Sequence, residues 1–369
     1  MKVTIKLLLV VLILVLTAGC NKSEFDDQNV NRSDFGDQNV YINDVILDYE
    51  GRITAAGYYL PELPFQSIFE QLGFTVESDS KQKTISATKG NTVINAKLLK
   101  PTYTVNGETF DMELFPSDSQ GMVFVPVRVF QQALGAGVRW NEEIKGLQVY
   151  ALSDDDPYTY EQLRRGLAAG AIYNMINGEL PGLFSGGECS IKDTKEEKKL
   201  LYESWGIKNR KDALEVLTSL NYNGHNREFT EIADVVTFLN DDEFEAFLKK
   251  QNYEDPEKIR FVRKHYKETN GKGILAWDLV RQIAVAQWSF TCGYITYDEA
   301  VSFIMDAAIR LQNSFDSYKE MEDNHALGRW YWSLDRTLYD ECKEEENWLL
   351  TSEESPWHQL DWNMSITPD

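Results

Sequence analysis

Cysteine, histidine and positive charge are all scarce in this 369-residue chain, and each shortage removes a class of function. Of the four cysteines, Cys20, Cys189, Cys292 and Cys342, no two stand in a C-x-x-C spacing, so neither a disulfide framework nor a zinc ribbon can be read here. The four histidines, His225, His265, His325 and His358, lie far apart along the chain and form no local imidazole set for a metal. Lys and Arg number 37 against 59 Asp and Glu, and no basic stripe offsets the formal charge of −22. Such a surface repels nucleic acid, which is excluded as a partner. No serine or cysteine occupies a nucleophile elbow, and the glycine-rich stretch from Gly182 to Cys189 lacks the Lys-Ser/Thr ending of a phosphate loop.

What is present begins with an export signal. Lys2 and Lys6 form a cationic start, Leu7 to Leu16 an unbroken apolar run too short to span a bilayer, and Leu16-Thr17-Ala18-Gly19-Cys20 a small-residue cleavage site. With Cys directly after the small residues, this site resembles a bacterial lipobox. The resemblance implies that residues 1–19 are removed and that Cys20 is lipidated. Two acyl chains would then hold the protein on the extracytoplasmic face of the cell membrane. Cys189, Cys292 and Cys342 remain, an odd number; one pair among them stays open, and Cys292 reads as a small core residue. Residues 20–40 hold the duplicated segment SEFDDQNVNR and SDFGDQNVYI, too polar to order itself, and read as a tether.

Residues 41–152 switch to short alternating runs. VYINDVIL, KTISAT, NTVINAKL, TYTVNGETFDM and LQVYA predict strands, and Asn106-Gly107 a tight hairpin turn. LPFQSIFEQLGFTVESDSKQKTISA from Leu63 aligns without gaps to VPVRVFQQALGAGVRWNEEIKGLQV from Val125, an offset of 62 residues. In each copy a proline, Pro64 or Pro126, opens a short helix, Leu72-Gly73 or Leu134-Gly135 closes it, and a hairpin follows. Val125-Pro126-Val127-Arg128, Ala133-Leu134-Gly135-Ala136 and Val138-Arg139-Trp140 resemble the N-terminal, stalk-like domain of copper amine oxidases. The first copy departs from that pattern, with Gln66 for the Arg and Ser78 for the Trp. The resemblance implies a spacer or attachment domain without chemistry. The oxidase's own residues do not follow: Asn252-Tyr253-Glu254 is preceded by Lys249 where the quinone motif needs Thr, and no His-x-His pair exists. Copper needs several imidazoles at close range, so no cofactor is expected.

Ser153 to Pro157, SDDDP, marks the boundary to a second domain at residues 158–369, where 24 basic residues face 41 acidic ones from Ala151 on. Here apolar residues recur at helical spacing throughout, which predicts an all-α domain after the α+β one. Thr159 with Gln162, Thr296 with Glu299 and Ser317 with Glu320 are capping boxes that start helices, the first running to about Met175. Further helices are predicted at roughly 195–204, 210–220, 229–239, 242–250 and 256–267. Residues 276–293, AWDLVRQIAVAQWSFTCG, carry only Asp278 and Arg281 as charges and must lie in the middle of the bundle. Eight of the nine tryptophans fall in this half and read as packing, while His265 and His325 read as surface or boundary residues.

At Ser204-Trp205-Gly206-Ile207, Gly224-His225, Ala276-Trp277-Asp278-Leu279 with Arg281, Gly328-Arg329 with Trp332, and Ser355-Pro356-Trp357 with Trp362, the chain resembles a bacterial family known only as domain of unknown function 1266. Asn226 after the Gly-His is a departure from its pattern. The family supplies no activity, so the residues speak for themselves. Asp278 and Arg281 at i and i+3, flanked by Trp277 and Trp288, predict a buried ionic network that fixes helix register. His225, Asp278 and Arg329 together would furnish a hydrolase site if they met around a cleft. The reading is of a lipid-anchored envelope protein that binds or scaffolds an envelope protein or cell-wall component, with an extracytoplasmic hydrolase as the rival.

Overall fold

A computed structural model describes residues 39–48, 54–56, 60–112, 116–119, 122–184, 191–251 and 255–368. The signal, Cys20, the tether, Cys189 and Asn252-Tyr253-Glu254 lie outside the described residues. Among the described residues no helix is long and apolar enough to cross a membrane.

The chain enters through β1 (Asn39–Ile42) and β2 (Val45–Ile46), where one strand is predicted. Asn43 and Asp44 take left-handed φ values of 46° and 64°, so VYINDVIL folds back on itself with Ile42 opposite Val45. Short polar side chains tolerate that conformation, and two such residues in succession make a hairpin. β3 (Thr54–Ala56) and β4 (Leu60–Pro64) lead into α1 (Phe65–Gln71), β5 (Thr75–Asp79) and β6 (Thr84–Lys89). Next come β7 (Thr92–Lys97), β8 (Thr102–Val105), β9 (Glu108–Asp111), β10 (Ser117–Ser119) and β11 (Met122–Pro126). The predicted turn joins β8 to β9, with both Asn106 and Gly107 at positive φ. Then α2 (Arg128–Leu134), β12 (Gly137–Asn141) and β13 (Gly146–Tyr150) repeat the helix-and-hairpin unit of α1, β5 and β6.

Among the described residues three sheets result, in the orders β12-β13-β1-β2, β10-β11-β4-β3 and β5-β6-β7-β8-β9. β4 and β11 pair antiparallel with Leu63 opposite Val125, which are equivalent residues of the two copies. That pair therefore sits on a local pseudo-twofold, and α1 meets α2 across it through Phe69 and Phe130, ring centroids 5.0 Å apart. The copies differ outside the shared unit: β6 extends into an antiparallel meander, whereas β13 accepts β1 in parallel.

Among its described residues the helical half contains α3 (Tyr160–Ala168), α4 (Ala171–Ile176), α5 (Ile191–Trp205), α6 (Arg210–Tyr222), α7 (His225–Val236), α8 (Asp241–Gln251) and α9 (Pro256–His265) with a 3-10 turn after it (Tyr266–Thr269), then α10 (Leu275–Thr291), α11 (Tyr297–Ser314), α12 (Tyr318–Ser333), α13 (Arg336–Thr351) and α14 (Pro356–Gln359). The single helix predicted up to Met175 is two, broken at Gly170, where a β-carbon would come within 2.6 Å of Ile283. The boxes at Thr159 and Thr296 form in full. Ser317 accepts from the Glu320 amide, but the Glu320 carboxylate reaches the Asp316 amide instead, so the third is half a box.

α10 is the axis. Every residue from Ala276 to Thr291 is buried, against α4, α5, α6, α7, α11, α12 and β12. It belongs to two apolar cores at once: Trp288 and Phe290 pack with Phe184, Ile304 and Leu311, while Trp277 packs with Phe229, Val262 and Tyr331. At about 1.5–3 kcal/mol per large apolar side chain buried, this one helix organises much of the domain's stability. Its C-terminal end, with the start of α11, also locks onto the first domain. Arg139 Nη1 donates to the Phe290 carbonyl at 3.2 Å, Tyr297 Oη donates to the Gly135 carbonyl at 3.3 Å, and a β-carbon at Gly137 would collide with Phe290 at 2.8 Å. At the C-terminus of the chain, Trp357 Nε1 donates to the Ala168 carbonyl and Trp362 Nε1 to that of Phe315, which pins the closing segment as its indoles predict.

Candidate functional site

The predicted charges of α10 meet α7 end to end. α7 starts at Gly224-His225-Asn226, earlier than its apolar spacing suggests, because glycine at the N-cap offers no side chain to announce it. The missing cap comes from α10: Asp278 Oδ1 accepts from the His225 amide at 3.0 Å and Oδ2 from the Asn226 amide at 2.7 Å. A carboxylate at a helix N-terminus satisfies orphan amides and faces the positive end of the helix dipole. Only glycine fits at 224, since a β-carbon would stand 2.2 Å from Asp278 Oδ2.

The service is returned. Asn226 Oδ1 accepts from the Ile274 amide at 2.7 Å, at the start of α10, and Asn324 of α12 accepts from the Ala276 amide at 2.9 Å while donating to the Gly273 carbonyl. Asp278, Asn226 and Asn324 thus tie the first turns of α7 and α10 to each other and to α12. Nothing in local spacing shows this, because the partners lie about fifty residues apart.

Arg281 completes the knot. Its Nη2 contacts Asp278 Oδ1 at 2.5 Å, its Nε donates to the Trp277 carbonyl at 2.9 Å, and its guanidinium lies over the Trp277 ring at 4.2 Å. The two side chains are 7% and 3% exposed, so the pair is sealed from solvent. Burial raises the Asp278 carboxyl above its usual range, against the pull of Arg281 and the two amides.

His225 Nδ1 accepts from Trp277 Nε1 at 2.9 Å and lies 3.3 Å from Arg281 Nη2. Nδ1 therefore holds the lone pair and Nε2 the proton. Burial, with Arg281 and Lys258 nearby, pushes the imidazole down to about 2, so it is neutral. Its one basic nitrogen is already engaged, which makes it a poor general base. Deeper along α10, Trp288 Nε1 donates to Glu179 Oε1 at 2.6 Å, and Glu179 Oε2 accepts from Asn174.

Arg329 is placed elsewhere. It donates to Cys342 Sγ at 3.4 Å and to Glu341 Oε2 at 3.3 Å on α13, and no described contact joins it to His225 or Asp278. Its neighbour Gly328 lets α12 touch α10, since a β-carbon there would fall 2.3 Å from the Trp277 β-carbon. Among the described residues, clefts of about 410 and 460 Å³ open elsewhere, one beside Arg139, Tyr150 and Arg210, another beside Lys272, Trp330 and Arg336. His225, Asp278 and Arg329 line neither.

Sequence spacing misplaced two histidines. His265 and His325 are buried, not on the surface: His265 Nδ1 pairs with Glu268 at 2.9 Å, and His325 lies against Trp277, ring centroids 5.4 Å apart. Both sit on helix faces that meet other helices, which a lone residue cannot reveal.

Residues 61–149 match the family described as copper amine oxidase N-terminal domain, and residues 200–362 match the one described as protein of unknown function (DUF1266). No curated protein and no solved structure matches the chain.

Proposed function

We propose that this chain, similar in its first part to the copper amine oxidase N-terminal domain and in its second to a family of unknown function, is a lipid-anchored extracytoplasmic protein that binds or scaffolds an envelope partner without catalysis. The observation that carries the non-catalytic reading is the engagement of the polar centre with itself. Both oxygens of Asp278 serve helix amides, the accepting nitrogen of His225 serves Trp277, and Arg329 faces another helix. A hydrolase needs these groups presented to a substrate in a cleft. Anchoring is supported by the order of signal, Cys20 and polar tether, and by the acidic helical domain beyond the stalk-like one.

Two experiments test it. Cells grown with labelled palmitate should yield labelled, membrane-bound protein from the wild type and unlabelled, released protein from Cys20→Ser; unlabelled wild type free in the medium would sink the anchor. Cross-linking on intact cells followed by mass spectrometry should recover one envelope component in stoichiometric amount. Turnover of an ester or phosphoester panel that vanishes in Asp278→Asn, with the fold intact, would favour the hydrolase instead.

A further inference from the structure

Trp277 also packs against His325, where α12 and α13 enclose a second polar cluster. Glu322 and His325 stand at i and i+3 on α12, which puts both side chains on the face turned to α13, and α13 brings Cys342 to meet them. One ligand atom from each, a carboxylate oxygen, an imidazole nitrogen and the thiol sulfur, lies within 4.8 Å of the others. All three side chains are fully buried. His325 Nδ1 is 3.0 Å from Glu322 Oε2, yet neither oxygen of Glu322 nor either nitrogen of His325 has a partner in hydrogen-bonding geometry. Four such atoms in one buried pocket are unusual, because buried polar groups are almost always satisfied. From outside the cluster, Arg329 Nη1 donates to Cys342 Sγ, and Arg329 is itself steadied by Glu341.

We propose that Glu322, His325 and Cys342 hold a divalent ion of the zinc class as a structural clamp between α12 and α13. A mixed sulfur, nitrogen and oxygen set suits zinc, whereas magnesium and calcium take oxygen alone. Zinc bonds of about 2.0–2.3 Å hold tetrahedral ligands roughly 3–4 Å apart, so the three need close by only about an ångström. Carboxylate and thiolate cancel the charge of the dication, which lets it sit in an apolar interior. Binding would release the thiol proton to solvent and leave sulfur as thiolate, with the Arg329 N–H donating to it as an outer partner. Full burial points to architecture, not catalysis, since catalytic zinc keeps an accessible position; the second oxygen of Glu322, which also lacks a hydrogen-bond partner, would supply the fourth donor.

The test uses the full chain purified in detergent with zinc present. About one zinc per chain is expected by elemental analysis. Exchange with cobalt(II) should give a thiolate-to-cobalt charge-transfer band in the near ultraviolet. That band should persist in the Cys189→Ser/Cys292→Ser variant and vanish in Cys342→Ser. Glu322→Gln and His325→Gln should each weaken cobalt binding by about tenfold or more with helicity unchanged. If Cys342→Ser fails to fold, the band in the Cys20→Ser/Cys189→Ser/Cys292→Ser variant, whose one thiol is Cys342, assigns the ligand alone. A wild-type chain that binds neither zinc nor cobalt at millimolar concentration, or a band that survives in Cys342→Ser, overturns the proposal.

Discussion

The Asp278 cluster on α10 and the Glu322 cluster on α12 both touch the same indole, Trp277, and both bury a carboxylate, but their hydrogen-bond accounts differ. Around Asp278 each carboxylate oxygen meets an amide, the guanidinium has an anion, a carbonyl and a ring, and the imidazole has its donor. Around Glu322 the carboxylate and imidazole stand beside each other with no proper partner. Depth alone does not tell a structural network from a vacant ligand set; the satisfaction of each atom does.

Removing one member of the satisfied cluster should cost most. Asp278→Ala is expected to lose about 3–5 kcal/mol in denaturant unfolding, because Arg281 is left as an uncompensated buried charge and α7 loses its cap. The paired replacement Asp278→Leu with Arg281→Met should recover a large part of that loss; a double variant as weak as the single would break the argument. Gly224→Ala comes next, at about 1–3 kcal/mol, since the new methyl must push Asp278 off the α7 amides. A melting temperature equal to wild type would contradict the crowding at that position.

The unsatisfied cluster should behave in the opposite way. In chelator-treated protein, Glu322→Leu with His325→Leu should be neutral or stabilising by about 1 kcal/mol, because it removes together both members of a buried pair that makes no proper hydrogen bond. With zinc added, the same variant should melt below wild type. Loss of several kcal/mol without metal would mean that the two clusters are alike after all.

The smallest effect at neutral pH is the most specific. His225 is held down to about 2 in the folded chain against 6.5 for a free imidazole, so the unfolded chain takes up the proton first and stability falls as pH drops below 6.5. Asp278 works in the other direction and lower: its raised carboxyl favours the folded chain as pH falls toward the ordinary carboxylate value of 3.8. His225→Asn, which keeps an acceptor and loses the titration, should flatten the stability curve between pH 6.5 and 5. An unchanged slope there would assign the acid sensitivity to other groups.

Local chemistry made much of the fold legible. The primed turn at Asn106-Gly107, the caps at Thr159 and Thr296, the repeat at sixty-two residues and the wholly apolar circumference of α10 all act within one or two turns of chain. The turn at Asn43-Asp44 escaped because both residues sit inside an otherwise β-prone run. That Asp278 and Arg281 pair inside the bundle was readable from their spacing on an apolar helix. That Asp278 caps another helix was not, since Gly224 is featureless and fifty-four residues away. The Glu322, His325 and Cys342 set was hidden for the same reason: its third member lies on the next helix at no motif spacing.

The exchange of the His225 and Asn226 amides in wild type and Asp278→Asn is the most direct trial of a self-contained polar centre. Strong protection in wild type, with a large loss confined to the first turn of α7 in the variant, is the predicted result. Equal protection in both proteins would show that Asp278 does not hold that helix, and would return it to the pool of groups available for chemistry.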